Sequence, residues 1–192
     1  TGSTETGKEL YAAAAQNVQK ISLELGGNAP FIVLDDADLD LAVDGVLYGC
    51  FVYSGQICES GTRALVPASL HDEFVSRLVA RATTITMGPT RDWDTDMGPV
   101  INGRQQSRIL DHIRAAVAEG AVVALGGEAL DQPGFWVTPT ILTGVRNAMR
   151  IAREEVFGPV LVVIPYADED EAAAIANDSE YGLAASIWSS DN

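Results

Sequence analysis

The sequence predicts an α/β fold. Segments rich in helix-forming residues alternate along the chain with short apolar segments that end at glycine or proline, which is the pattern of α/β proteins. One such apolar segment, Val160 to Tyr166, is followed directly by an acidic, helix-like segment from Asp168 to Asn177. With 192 residues, of which 47% are apolar, the chain is long enough and apolar enough to bury one sizeable core.

The expected elements follow from apolar periodicity and from capping, turn and acidic residues. In the first half we expect a helix over Lys8 to Lys20, capped by Ser3 or Thr4, and then strands over Ile21 to Leu25 and Pro30 to Leu34. These are followed by a helix that is opened by Asp35 to Asp38 and ends near Tyr53, a strand over Arg63 to Val66 and a helix over Leu70 to Ile85. In the second half we expect a helix from about Gly103 to Glu119, a buried strand over Ala121 to Leu125 and a strand-like segment over Gly134 to Thr143 that Pro139 interrupts. The strand Val160 to Tyr166, the acidic helix Asp168 to Asn177 and a final strand near Ala184 to Trp188 follow.

Charge and hydropathy exclude several classes of partner. The formal net charge of −15 argues against nucleic acid or an anionic lipid surface. No apolar run approaches the length of a membrane span, and the N-terminal residues do not resemble a signal peptide. A first residue other than methionine suggests a fragment of a longer protein.

Cysteine and histidine are scarce. Cys50 and Cys58 lie eight positions apart, a spacing that indicates neither a disulfide scaffold nor a Cys-x-x-Cys metal site. We therefore expect no metal and a reducing, cytoplasmic setting. His71 and His112 both lie in helix-like segments and are interpreted as surface or packing residues.

Cys58 lies in a segment that should turn sharply. Gly55, Ser60 and Gly61 interrupt regular structure around it. A thiol in such a turn can be reached by a substrate, as a nucleophile must be. A free cysteine can equally be a small buried apolar residue. The segment alone leaves both interpretations open.

Two further features are compatible with a ligand site. Glu24 ends a strand-like segment beside Gly26-Gly27, and carboxylates at strand ends of α/β folds either meet ligands or face water. Ser3 would cap the first helix, whose free N–H groups could bind an anion. The segment lacks the Gly-x-Gly-x-x-Gly dinucleotide fingerprint, so an ordinary helix cap is the alternative.

A series of short motifs runs along the whole chain in order. They are Thr1-Gly2-Ser3-Thr4 with Gly7, Glu24-Leu25-Gly26-Gly27, Gly55-Gln56-Ile57-Cys58, Met97-Gly98-Pro99, Gly126-Gly127, Pro139-Thr140, Glu154-Glu155-Val156-Phe157-Gly158-Pro159, and Asn177 with Tyr181-Gly182-Leu183. Each motif alone is a weak signal. Together, at these intervals, they resemble the NAD(P)-dependent aldehyde dehydrogenase superfamily over essentially the whole length.

The resemblance implies a reaction with two catalytic residues. Cys58 matches the nucleophile, whose thiolate attacks an aldehyde to give a thiohemiacetal. Hydride transfer to NAD or NADP then leaves a thioester, and Glu24 matches the base that activates water to cleave it. Partial burial would make such a carboxylate a better base. The backbone N–H of Cys58 would supply half of an oxyanion hole.

The resemblance also implies a cofactor site. Glu155 matches the carboxylate that holds the nicotinamide ribose, and Phe157 the ring beside the nicotinamide. Gln105 and Arg108 fall near positions that touch the adenosine ribose, with ordinary solvated side chains as the alternative. The whole implied cofactor set is Gly2, Ser3, Gly7, Leu25, Gly26, Gln105, Arg108, Glu155 and Phe157.

The implied architecture is a catalytic domain over residues 26–192 with a mostly parallel sheet flanked by helices. Residues 1–25 would be the end of a Rossmann-like cofactor domain. The segment carrying the second oxyanion donor, an asparagine, is absent from this chain, and Glu59 stands where a small residue is more usual. The full-length parent is expected to bind a small aldehyde and to form a homo-oligomer, as a dimer or tetramer.

Three alternatives remain open. A coenzyme A-acylating aldehyde dehydrogenase would share the chemistry of Cys58 but would not need Glu24. A catalytically inactive protein could keep the same fold, and we expect the isolated 192-residue chain to lack activity. A cofactor-independent cysteine hydrolase is disfavoured, because neither histidine lies in a segment that could activate the thiol.

Overall fold

The computed structural model describes residues 1–191 and confirms the α/β class. Helices and strands alternate along most of the chain. The elements are α1 (Thr4–Ala15), β1 (Ala29–Val33), α2 (Leu39–Phe51), a 3₁₀ turn (Val52–Gly55), β2 (Gly61–Pro67), α3 (His71–Ala82), α4 (Gly103–Ala118), β3 (Val122–Leu125), β4 (Thr140–Thr143), α5 (Arg150–Arg153), β5 (Val160–Tyr166), α6 (Glu169–Asn177) and β6 (Ser186–Trp188).

The strands form one six-stranded sheet in the order β3-β4-β5-β2-β1-β6. Every neighbouring pair is parallel except β3 and β4, so the sheet is mostly parallel, as the resemblance implies. No helix within residues 1–191 has the length and apolar character needed to cross a bilayer.

The sheet has a hydrophobic core on each face. On β2, Leu65 packs into the core formed with α4, α5 and α6, whereas Ala64 and Val66 pack into the core formed with α2 and α3. Both faces of β2 are therefore buried, as expected of a central parallel strand between helical layers.

Side-chain caps fix where the helices begin. Ser3 caps α1, with its Oγ accepting from Thr6 N–H at 3.2 Å, which confirms one of the two predicted caps. The helix consequently starts at Thr4 rather than Lys8, and it ends before Val18, whose φ of 52° is left-handed. Asp38, Asn102 and Asp168 cap α2, α4 and α6 in the same way.

The predicted strand over Ile21 to Leu25 is wrong. Within residues 1–191 this segment pairs with no strand, and its main chain is tied instead by Gly2 N–H donating to Glu24 O at 3.0 Å. Leu23 and Leu25 face α1 beside Gly7. The apolar alternation thus reflects packing on a helix, which sequence periodicity does not distinguish from strand pairing.

Two further strand predictions need correction. The run Ala121 to Leu125 was expected to be buried, but β3 lies at the edge of the sheet and leaves Val122 and Val123 58% and 40% exposed. The segment Gly134 to Thr143 forms a strand only from Thr140 onward, because Pro139 has no N–H to pair.

His112 is buried on α4, with only 1% of its surface exposed. Burial is the main reason that its pKa is lowered to about 4, and the positive charge of Arg150 adds to the effect. Glu154 Oε2 lies 3.7 Å from His112 Nε2, and neither ring nitrogen has a hydrogen-bond partner among the described residues. The ring is therefore neutral in the folded chain near neutral pH.

This depressed pKa predicts a loss of stability in mild acid. In the unfolded chain the imidazole regains an ordinary pKa near 6.5, so the unfolded state binds the proton more readily. Stability should fall as the pH drops through about 6.5 towards 4, by about 2 kcal/mol between pH 7 and pH 5. Urea unfolding at several pH values would measure this, with His112→Leu as the comparison. The variant should lack that component, and an identical pH dependence in both proteins would contradict the assignment.

Candidate active site

One cavity of about 450 Å³ collects most of the predicted site residues. It lies between the start of α1, the segment before β1, the turn before β2 and the loop after α5. Its lining residues are Thr1, Gly2, Ser3, Glu24, Leu25, Gly26, Gln56, Ile57, Cys58, Arg108, Glu155 and Phe157. A cavity of this size is typical of small-molecule sites.

The turn before Cys58 has an unusual backbone. Tyr53, Ser54 and Gly55 have φ values of 50°, 58° and 68°, all left-handed. For the two residues other than glycine this conformation costs about 1–3 kcal/mol each. Ser54 Oγ donates to Gly98 O at 2.8 Å, and Gly55 packs so closely on the Gly158 carbonyl that no side chain would fit. These contacts hold the turn that brings Cys58 to the cavity.

The two cysteines occupy different environments. Cys50 is fully buried on α2, and burial raises the pKa of its thiol. Cys58 is only partly buried and lines the cavity. Its backbone N–H has no acceptor within residues 1–191, so it is free to donate to a ligand oxygen.

Glu24 lies in the same cavity as Cys58. The expected partial burial is absent, because Glu24 is exposed. The segment around it does not pair into a sheet in the described chain. The carboxylate is therefore close to the thiol in the fold and open to water.

The double glycine Gly26-Gly27 touches both sides of the site. Gly27 N–H donates to Glu155 Oε1 at 3.1 Å. A side chain at Gly26 would overlap the Glu155 carboxylate, and one at Gly27 would overlap the carbonyl of Cys58. Burial raises the pKa of Glu155, while the Gly27 hydrogen bond and Arg108 act in the opposite direction.

Helix α4 holds the loop that carries Glu155 and Phe157. Arg108 Nη2 donates to Glu155 O at 2.8 Å, and Gln105 Nε2 donates to Val156 O at 3.1 Å and to Phe157 O at 2.8 Å. Arg108 lines the cavity, but Gln105 does not. Gly7 is the other predicted cofactor residue that lies outside it, packed against Leu25 so tightly that no side chain would fit.

Arg63 is a buried arginine of β2 that the sequence analysis did not single out. Arg63 on β2 is only 1% exposed and donates to the carbonyls of Asn28, Ile175 and Ala176 and to Asn147 Oδ1, at 3.0–3.3 Å. Burial lowers its pKa. The signal was a charged residue at the start of an apolar strand, since a buried guanidinium must find partners for its five N–H groups.

Asn28 links Arg63 to the double glycine Gly26-Gly27, which directly precedes it in the chain. Its amide nitrogen donates to Ala152 O at 2.9 Å, and its amide oxygen accepts from Thr62 Oγ1 at 2.7 Å. Its own carbonyl accepts two bonds from Arg63. The residue that follows Gly27 is thus fixed on three sides.

The cavity residues fit a dinucleotide. Ser3 caps α1 and leaves the N–H groups of Thr4 and Glu5 without acceptors in the described chain, which is a favourable site for a phosphate. Glu155 offers a half-buried carboxylate for hydroxyl groups, and the absence of side chains at Gly26 lets a ligand approach it. No cluster of residues suited to a metal ion occurs within residues 1–191.

Comparison with known proteins shows the family. The model of the aldehyde dehydrogenase family matches residues 1–192, and the chain therefore belongs to this family. It is 44% identical over 196 residues to a betaine aldehyde dehydrogenase of Brucella anthropi, covering 100% of this chain and 40% of that protein. It is 45% identical over 191 residues to a betaine aldehyde dehydrogenase of Cereibacter sphaeroides, with the same coverage.

Solved structures agree with this assignment. An NAD⁺ complex of an aldehyde dehydrogenase from Bacillus cereus has a TM-score of 0.96 and 40% identity, covering 99% of this chain and 39% of that one. A betaine aldehyde dehydrogenase from Staphylococcus aureus in complex with NAD⁺ has a TM-score of 0.96 and 45% identity, covering 99% and 38%. The chain thus spans about 40% of the length of the curated relatives it matches.

The environments of the two thiols predict their reactivity. Iodoacetamide near neutral pH should modify Cys58 much faster than Cys50, because Cys50 is buried with a raised pKa. Mass spectrometry of the folded chain would measure both rates, and the unfolded chain in urea provides the control in which the rates converge. Equal labelling in the folded chain, or faster labelling of Cys50, would contradict Cys58 as the accessible nucleophile.

Proposed function

We propose that the protein carrying this chain oxidises an aldehyde to a carboxylic acid with NAD or NADP. The observation that carries the proposal is the cavity that brings together Cys58, Glu24, Glu155 and Phe157 from three separate segments. Membership of the aldehyde dehydrogenase family supports it. The NAD⁺ complexes among the structural neighbours favour NAD as the first cofactor to test.

Cys58 is the proposed nucleophile. Its thiolate attacks the aldehyde carbon, and its free backbone N–H donates to the oxygen that becomes negatively charged. The bound cofactor supplies the acceptor for the hydride that leaves this carbon. The acyl group then remains on the Cys58 sulfur as a thioester.

Glu24 is the proposed base for the second half of the reaction. From the same cavity, its carboxylate accepts a proton from the water that attacks the thioester, and the acid leaves as the Cys58 thiolate is restored. Its position favours hydrolysis over transfer of the acyl group to coenzyme A, which would not need a base here. The presence of Cys58, Glu24 and Glu155 in one cavity also argues against a catalytically inactive protein of this fold.

The remaining cofactor residues would hold the two halves of the dinucleotide. Glu155 would accept hydrogen bonds from ribose hydroxyls, and Phe157 would pack beside the nicotinamide. Gly2, Ser3, Leu25 and Gly26 would border the phosphate path at the start of α1.

The division of the chain also belongs to this proposal. Residues 1–25 would be part of a cofactor domain and residues 26–192 the catalytic domain, with Asn192 outside the described residues. The Gly2 to Glu24 main-chain hydrogen bond supports a local unit at the N-terminus. A cytoplasmic location is supported by the two free cysteines. Homo-oligomerisation stays a prediction of the resemblance.

Glu24→Gln separates the two steps in the full-length protein. Steady-state turnover should fall by roughly 10²–10⁴-fold, because deacylation loses its base. An initial burst of NADH should survive, since thiohemiacetal formation and hydride transfer precede that step. Stopped-flow absorbance with a panel of aldehydes, betaine aldehyde included, would record both phases with NAD and with NADP.

The control variant removes the Cys58 thiol. Cys58→Ala should abolish both the burst and turnover. Wild-type turnover in Glu24→Gln would remove Glu24 from the mechanism, and NADH formation by Cys58→Ala would overturn the proposed function as a whole.

A further inference from the structure

We propose that Gln105 is a positioning residue that fixes the nicotinamide side of the cofactor cavity by holding Phe157, and that it is not a ligand of the adenosine ribose. The inference rests on the proposed function, because it assigns the cavity to a nicotinamide dinucleotide. It departs from the resemblance, which places Gln105 near that ribose.

The geometry points to this role. Gln105 Nε2 donates to the carbonyls of two consecutive residues, Val156 at 3.1 Å and Phe157 at 2.8 Å. A side-chain amide has two N–H donors, so both are used within the protein. Gln105 is also absent from the lining of the cavity. It has no N–H left to offer a ribose hydroxyl, and its Oε1, which could accept from one, belongs to a side chain that does not line the cavity.

Phe157 needs such support. Its φ of 55° is left-handed, a conformation that a bulky residue adopts only when its surroundings impose it. The Gln105 amide binds the carbonyls on both sides of this backbone position, which ties the unfavourable conformation to α4. Without these bonds the loop gains an easy route to an ordinary conformation, and the Phe157 ring would leave its place in the cavity.

The same face of α4 anchors the rest of the loop. Arg108 donates to Glu155 O, and Ile109 packs against Gly158 so closely that no side chain would fit on that glycine. Residues three and four positions apart share one face of a helix, so Gln105, Arg108 and Ile109 act as one support. Within it, Gln105 binds the part of the loop that carries the strained residue.

The neighbouring residue provides a matched control. Gln106 is also a half-buried glutamine of α4, and its Nε2 donates to Trp136 O at 2.9 Å. It makes the same kind of bond one position along the helix, to a carbonyl that does not border the cavity. A general effect of losing a glutamine hydrogen bond from α4 would appear in both positions.

The test compares Gln105→Met and Gln106→Met in the full-length protein. Calorimetry would measure binding of NAD and of ADP, which keeps the adenosine ribose but lacks the nicotinamide half. For Gln105→Met we expect the Kd for NAD to rise about tenfold and the Kd for ADP to change less than twofold. Gln106→Met should leave both within twofold, and Gln105→Glu, which presents a carboxylate to the same carbonyls, should repeat the Gln105→Met pattern.

A second readout needs no cofactor. Hydrogen exchange of the peptide spanning residues 154–160 should be faster in Gln105→Met than in wild type, and unchanged in Gln106→Met. Equal weakening of NAD and ADP would show a direct ribose contact and overturn the proposal, as would unchanged NAD binding or unchanged exchange in Gln105→Met. If wild type binds NAD but oxidises no aldehyde, the proposed function fails while these measurements still decide the role of Gln105.

Discussion

The site depends on the close approach of the Gly26-Gly27 backbone to two other segments. Gly27 N–H donates to the Glu155 carboxylate, and the Cα atoms of both glycines lie where any side chain would overlap Glu155 or the carbonyl of Cys58. Three segments far apart in sequence meet at this point. The backbone of Gly26-Gly27 therefore sets the position of the Cys58 segment relative to the Glu155 carboxylate, and such close contacts leave little room for adjustment.

Arg63 fixes the support behind this contact. Its guanidinium is buried, yet every hydrogen-bond partner is a carbonyl or amide oxygen and none is a carboxylate. Two of these oxygens, on Ile175 and Ala176, belong to the last turn of α6, where the helix dipole favours a cation. Hydrogen bonds from a charged group contribute about 1.5–3 kcal/mol each, which offsets the cost of burial. Arg63 thereby connects α6, Asn28 and the double glycine.

Much of the fold could be predicted from local patterns. The strand Val160 to Tyr166 was expected with the bounds that the structure has, because an apolar run closed by an acidic helix start is a strong signal. The strand expected over Ile21 to Leu25 does not form, and the run before Leu125 lies at an exposed edge. Both errors concern which strand, helix or solvent a segment lies against in the fold, and apolar periodicity carries no information about that.

The same distinction between local patterns and contacts with distant residues applies to the site. Cys58 and Glu24 were singled out because the short motifs that contain them resemble those of the aldehyde dehydrogenase family, and both line the same cavity. The partners of Gln105 and Arg63 are carbonyl oxygens of distant residues, and any residue type supplies a carbonyl. No sequence pattern therefore records them. The exposure of Glu24 likewise depends on which segments cover the cavity.

The most direct test of this account is the kcat/KM of Gly27→Ala in the full-length protein, compared with Gly182→Ala. A methyl group at Gly27 would meet the Cys58 carbonyl, whereas at Gly182 it would meet nothing within 4 Å. Because displacing a reacting group by about 1 Å can cost about 10²-fold in rate, we predict a loss of at least about that size for Gly27→Ala and a near-wild-type Gly182→Ala. Equal activity of the two variants, with both folded, would contradict the claim that the double glycine sets the geometry of the site.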